Sequence, residues 1–215
     1  MRKWTPYFLL VPTFIIIVLF IYMPAGVSLQ TSLYRVLPFG RGMRYIGLQN
    51  FLKLFANSDY LYSVRFTILY VATTVGITIL SSFLLALLMV KKIPGVRFYR
   101  TLIFAPYAIS SATIEGASSM DRTWKIIFPM VSPITFYLVI MNIVSTMFSS
   151  FAIIDVMTKG GPGQYTTNMI YRLYLDGFYF QKAGVASAQS VILIAIMIVV
   201  TMVYFKVGER YVHYQ

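Results

Sequence analysis

Among the polar side chains within the long uncharged runs of this chain, four are candidates for a role: Asn142, Ser145, Ser149 and Gln189. A neutral amide or hydroxyl among apolar neighbours is costly unless it finds a hydrogen-bond partner. Two kinds of chemistry suit such groups. They can line a path and bond a hydroxylated solute in transit, a role open to Asn142 and Gln189. They can equally bond a neighbouring helix, or their own backbone one turn back, as serine readily does. Catalysis fits poorly. The chain has no cysteine, so it offers neither a disulfide framework nor a thiolate metal site. Its single histidine, His213, lies beside the C-terminus and cannot gather a metal cluster alone. No histidines or carboxylates cluster within the uncharged runs, so no enzyme, metal or cofactor is expected.

Two further patterns carry glycine and proline. The first reads Gly116, nine residues, then Ile126-Ile127-Phe128-Pro129. Gly116 opens backbone conformations closed to other residues. Pro129 suits the first turn of a helix, where no N–H bond is lost. Ala117, Met120, Trp124 and Ile127 recur at three-to-four spacing and share one helical face. On spacing alone, this face describes a helix lying on lipid as well as a handle for another protein. The second pattern is Thr158-Lys-Gly160-Gly161-Pro162, followed by Thr166-Thr167. Gly-Gly-Pro makes a tight turn, and without a Gly-Lys-Ser/Thr ending it is no phosphate-binding loop.

The elements that must position these residues follow from composition. The chain is 59% hydrophobic and 11% charged, with mean hydropathy +0.76. Soluble domains carry about a quarter charged residues, so this is an integral membrane protein. Four stretches, 6–28, 66–90, 126–154 and 183–205, contain no Asp, Glu, Lys or Arg. Each exceeds the roughly 20 helical residues that cross a hydrocarbon core. In lipid the backbone must satisfy its own hydrogen bonds, which selects helices. The expected fold is all-α: a polytopic membrane helix bundle with four transmembrane helices and one short interfacial or re-entrant segment. That segment is 101–114, apolar but short, interrupted by Pro106 and flanked by Arg97, Arg100, Arg122 and Lys125.

The net charge of +12 is scattered singly between spans, without the basic stripe of a nucleic-acid binder, so no nucleic-acid partner is expected. Arg2 and Lys3, Lys91 and Lys92, and Lys206 and Arg210 flank spans on one side. By the positive-inside rule both termini and the central loop are cytoplasmic. Arg35, Arg41, Arg44 and Lys53 in the first external loop run against that rule, which does not account for them. The run after Arg2-Lys3 is too long for a signal-peptide core, so it reads as an uncleaved first span. The first external loop, 29–65, contains Tyr45-Ile-Gly47-Leu-Gln-Asn50-Phe51 and Lys53-Leu54-Phe55, which reads as an amphipathic helix at the membrane interface.

Taken together, these motifs resemble the permease subunits of binding-protein-dependent ABC importers of the sugar type. The Gly116-to-Pro129 stretch is similar to the second half of their cytoplasmic coupling loop, in which Glu-Ala-Ala, three residues and Gly precede Ile-x-Leu-Pro. Here Ser110-Ser111-Ala112 occupy the Glu-Ala-Ala positions. The Gly47-Leu-Gln-Asn50-Phe51 segment and the Gly160-Gly161-Pro162 loop with Thr166 resemble external segments of the same family. Ser187-Ala-Gln-Ser190 and the Glu209-to-Gln215 ending look most like its glycerol-3-phosphate members.

The resemblance implies one permease domain over 1–215, internally shortened near 110–115. Arg100 to Tyr107 resembles the start of the family's third span, and the chain then passes straight into the coupling loop. It implies an ATPase-coupling site at Gly116, Ala117, Met120, Trp124, Ile126 and Pro129, and a binding-protein-facing loop at Gly160, Gly161, Pro162 and Thr166. The implied partners are a second homologous permease, an ABC ATPase dimer, a periplasmic solute-binding protein and the lipid bilayer. The implied location is the bacterial inner membrane. Arg172, in the external loop, is a cation that could help recruit an anionic solute. The rival reading is a four-helix membrane interaction protein that no longer transports.

Overall fold

The structure is a computed structural model and describes residues 5–37, 42–90 and 128–211. The segment 101–114, the region near 110–115, and Gly116, Ala117, Met120, Trp124 and Ile126 lie outside the described residues.

The first span is built from α1 (Thr5–Ile17), a π-helical turn (Val18–Tyr22) and α2 (Met23–Ser32). Pro24 lacks the N–H that would bond Phe20, and its ring crowds that carbonyl. The wider π turn lies where that conflict falls. A short antiparallel hairpin follows, with β1 (Tyr34–Val36) paired to β2 (Met43–Tyr45). Its register sets Tyr34 opposite Tyr45, and their rings meet edge to face at 5.3 Å. Next come α3 (Gln49–Phe55) and α4 (Ser58–Val90). After the undescribed stretch come α5 (Phe128–Met157), α6 (Met169–Tyr174), a second π turn (Leu175–Tyr179) and α7 (Ala183–Tyr211).

Among the described residues the fold is all-α apart from the hairpin. Four stretches are long and apolar enough to cross a membrane: Phe8–Ser32, Ser58–Leu87, Ile134–Met157 and Ala183–Lys206. Their apolar side chains point outward. Phe8 is 76% exposed, and Phe14, Phe20, Leu80, Leu84 and Ile198 are exposed too. Soluble proteins bury such residues, whereas a bilayer solvates them.

Two expectations need correction. The second span was placed at 66–90, yet α4 starts at Ser58. Asn57 caps it, its Oδ1 accepting from the Tyr60 backbone N–H at 3.1 Å. Asp59 and Arg65 end the uncharged run without ending the helix, because charge marks the edge of the hydrocarbon and not the end of backbone hydrogen bonding. The loop before α4 was expected to be an amphipathic helix. Only Gln49–Phe55 is helical; Tyr45 belongs to β2, and Gly47 turns the chain at φ +57°.

The fold divides into two compact units. One comprises the described residues of Met1–Ile68 and Met147–Val200. Its interior mixes apolar side chains such as Leu54, Met147, Met169 and Leu193 with small and polar ones: Ser63, Ser150 and Ala188 are wholly buried, with Tyr60, Asn168 and Gln189 at 1% exposure. Small and hydrogen-bonded residues are what let membrane helices approach closely. Asn50 ties the hairpin down, its Nδ2 donating to the Ser32 carbonyl at 2.7 Å and to the Tyr34 carbonyl at 3.0 Å. A side chain at Gly184, the second residue of α7, would collide with the Tyr34 carbonyl and press on the Asn50 amide.

The other unit comprises the described residues of Leu69–Thr146 and Thr201–Gln215. There Phe136 of α5 stacks on Tyr204 of α7 at 4.2 Å, and the Tyr204 hydroxyl donates to the Phe136 carbonyl at 2.7 Å. Gly208 leaves the room that the Phe136 ring occupies.

Candidate functional site

The Gly-Gly-Pro motif forms the tip of the connection between α5 and α6. Gly160 has φ +83°, and a Cβ there would stand 2.6 Å from the Thr167 Oγ1. Both the backbone and the space therefore demand glycine. The Thr166 hydroxyl donates to the Gly161 carbonyl at 2.9 Å and meets the Thr158 hydroxyl at 2.8 Å. Gly160, Gly161, Pro162 and Thr166, singled out from the sequence, thus lie together in one tied turn. Tyr165, 66% exposed, stands at its tip. Its carbonyl accepts from the Tyr62 hydroxyl of α4 at 3.1 Å.

Beneath the turn runs a buried relay. Asn168 caps α6, its Oδ1 accepting from the Tyr171 N–H at 2.8 Å. Its Nδ2 donates to the Ser150 Oγ at 2.5 Å, and Ser150 donates to the Met147 carbonyl at 2.6 Å. The Thr67 hydroxyl donates to the Ser63 carbonyl at 2.6 Å and accepts from the Met169 N–H at 2.9 Å. The loop is thereby anchored to both α4 and α5. Tyr171, nearly fully buried below it, has its hydroxyl pushed above the usual value by burial first, then by the Asp155 carboxylate 3.4 Å away.

Around Arg172 lies a second polar group. Its Nε donates to the Asp176 Oδ2 at 3.2 Å, its Nη1 stands 3.8 Å from the Asp59 Oδ2, and Nη1 also donates to the Gln164 side-chain Oε1. The Gln189 Nε2 donates to the same Asp176 oxygen at 2.7 Å. Asp176 and Gln189 are both nearly fully buried. Arg172, expected from the sequence to help recruit an anionic solute, is already paired with carboxylates. Asn142 donates to the Leu138 carbonyl of its own helix at 2.8 Å. Ser145 and Ser149 are exposed.

Ser150, Asn168 and Asp176 escaped the sequence reading. Asn168 follows the loop and opens a short helical pattern, a capping signal that could have found it. Ser150 had no signal to set it apart from Ser145 and Ser149. Among the described residues no group of His, Cys or carboxylates could hold a metal. Pro129 lies in the first described turn of α5.

Among the described residues, helices with four candidate spans and a tied loop between the last two define a polytopic membrane helix bundle, and solved structures share that fold. The structure matches a chain of a bacterial ABC transporter that imports the acidic polysaccharide alginate, with TM-score 0.77, 16% identity, and 99% of this chain and 97% of that one covered. It also matches a bacterial alginate ABC transporter in complex with an alginate-pentasaccharide-bound periplasmic protein, with TM-score 0.75, 16% identity, and 97% and 95% covered. These show the fold. No protein-family model matches the chain.

In sequence, the chain is 30% identical to the sn-glycerol-3-phosphate transport system permease protein UgpA of Pectobacterium atrosepticum and of Escherichia coli O157:H7, over 285 positions covering 99% of this chain and 97% of each relative. The Yersinia pestis protein is 28% identical over the same span. The chain belongs to this family of ABC-importer permeases. Because the alignments span 285 positions and this chain has 215 residues, about 70 positions of the relatives have no counterpart here.

Proposed function

We propose that this chain is a permease subunit that carries sn-glycerol-3-phosphate, or a related glycerol phosphodiester or sugar, across the bacterial inner membrane. The observation that carries the reading is the 30% identity to UgpA proteins over nearly the whole of both chains. In this reading both termini are cytoplasmic and a second homologous permease completes the pore. An ABC ATPase dimer engages the loop at Gly116, Ala117, Met120, Trp124, Ile126 and Pro129. ATP-driven closure of the ATPases then reaches the spans as rigid-body motion, and ATP hydrolysis belongs to that partner.

The turn at Gly160, Gly161, Pro162 and Thr166 faces a periplasmic solute-binding protein. A periplasmic protein bound to a solved importer of the same fold supports this assignment. So does the way the turn is tied: a surface already ordered loses little conformational entropy on docking. Asn142 and Gln189 are the candidates for the solute path. In their present arrangement Asn142 bonds its own helix and Gln189 bonds Asp176. The Gln189 Oε1 has no hydrogen-bond partner among the described residues and is the group open to a solute hydroxyl.

The domain spans 1–215, and the positions it lacks fall near 110–115, between the start of a third span and the coupling loop. Loss of about one helical hairpin removes packing surface for the partner permease, so transport is impaired. The shortening is also what favours the second reading, a membrane interaction protein that no longer transports.

Co-expression with a cognate ATPase, second permease and binding protein tests both. Co-purification of the ATPase, lost on Gly116→Trp, is expected for a permease. ATP-dependent uptake of sn-glycerol-3-phosphate into proteoliposomes below that of a UgpA relative is expected for an impaired one. Uptake equal to the relative's would refute impairment, and a chain that never captures the ATPase would leave the non-transporting reading.

A further inference from the structure

A pocket of about 140 Å³ opens where α3, the start of α4, α6 and the start of α7 meet. Lys53, Asn57, Tyr60, Arg172, Asp176 and Lys182 supply its polar wall. Three of these are cations and one is an anion. The anion is already engaged, since the Asp176 Oδ2 accepts from Arg172 at 3.2 Å and from Gln189 at 2.7 Å. Lys53 and Lys182 have no carboxylate within ion-pair distance among the described residues; the Lys182 ammonium lies 5.1 Å over the Phe180 ring. Tyr60 is 1% exposed, and its hydroxyl has no hydrogen-bond partner among the described residues. A buried hydroxyl without a partner is destabilising, and native proteins rarely retain one without a use.

We propose that this pocket binds a phosphate oxyanion. Two ammonium groups, a guanidinium, the Asn57 amide and the Tyr60 hydroxyl offer donors from several directions. That suits a tetrahedral anion with several acceptor oxygens better than a planar carboxylate. The position says where the phosphate could come from. Asn57 and Tyr60 flank Ser58, where one candidate span begins, and Lys182 precedes Ala183, where another begins. Phe178, Tyr179 and Phe180 beside Lys182 are exposed aromatics of the kind found at headgroup depth. A lipid headgroup and a phosphate in solution share this chemistry. The proposal does not rest on the transport reading, because binding needs only the pocket.

The test uses the full chain purified in a neutral detergent and then stripped of lipid. In one arm inorganic phosphate is titrated calorimetrically, with chloride as control. In the other, native mass spectrometry counts phospholipids retained from nanodiscs of mixed phosphatidylglycerol and phosphatidylcholine. Wild type, Tyr60→Phe and the Lys53→Gln/Lys182→Gln double variant are compared. Since the Tyr60 hydroxyl has no hydrogen-bond partner among the described residues, Tyr60→Phe is expected to hold or raise the thermal midpoint of the unliganded chain while weakening binding. The double variant is expected to weaken it about tenfold or more. Phosphate binding in the first arm with no phospholipid retained in the second identifies a soluble source; retention of phospholipid that phosphate displaces identifies a headgroup. Neither form of binding, or binding unchanged in both variants, overturns the proposal. ATPase capture is read separately, so failure here leaves the transport reading intact.

Discussion

Gly160 carries more structure than any other position in the motif it belongs to. Its φ of +83° and the Thr167 hydroxyl at the place of a Cβ exclude other residues on two grounds. Gly160→Ala is expected to destabilise the chain by about 1–2 kcal/mol from the backbone alone, with a further cost from displacing Thr167. A lowered unfolding midpoint in detergent checks it. Tyr171 gives a pH prediction. Its hydroxyl is raised in the fold from 10.0, by burial first and by Asp155 next. A raised folded value favours the protonated state, so this stabilisation is complete below pH 10.0 and is lost as pH rises through the folded value. Alkaline unfolding scans should therefore show a steeper fall for wild type than for Tyr171→Phe. Motif residues of this kind were legible in the sequence as a turn. The relay through Ser150 and Asn168 was not, because it joins residues 18 apart that meet only in the fold.

At the scale of elements, close approach is decided by small residues. Gly208 admits the Phe136 ring against α7, where that ring stacks on Tyr204. Gly208→Leu is expected to force the ring out and cost about 1–3 kcal/mol. Adding Phe136→Ala should recover part of that loss, which a thermal double-mutant cycle would measure. The four spans were readable from uncharged runs, because lipid tolerates few charges. Their ends were less so. The cap at Asn57 begins α4 before the charges of Asp59 and Arg65, and no count of charges could reveal it. The hairpin was missed for a related reason. Three-residue strands leave little periodicity, and Tyr34–Val36 and Met43–Tyr45 are held mainly by each other and, through the Tyr34 carbonyl, by Asn50.

For the whole molecule, the decisive question is which side of the bilayer holds the stretch before Pro129. The chain has no cysteine, so Ser119→Cys introduces a unique thiol. A membrane-impermeant maleimide added to intact cells is expected to leave it unlabelled, with labelling appearing once the membrane is opened. Labelling from outside would invert the topology and remove the ATPase from reach. The same experiment on Tyr165→Cys should give the opposite pattern, since that residue tops the loop proposed to face the binding protein. Together the two labels fix the orientation that basic flanks alone argue for.

Hydropathy and residue type determined that four described stretches of this chain are helices long and apolar enough to cross a membrane. These are properties each segment has by itself, set by the cost of charge and of unpaired backbone in lipid. Tertiary structure alone decided which polar groups are spoken for. Arg172 and Gln189 looked available in the sequence, and both converge on Asp176. The Tyr60 hydroxyl and the Gln189 Oε1 are left without a hydrogen-bond partner among the described residues. Pairing is a property of what the fold brings near, and no single segment contains it.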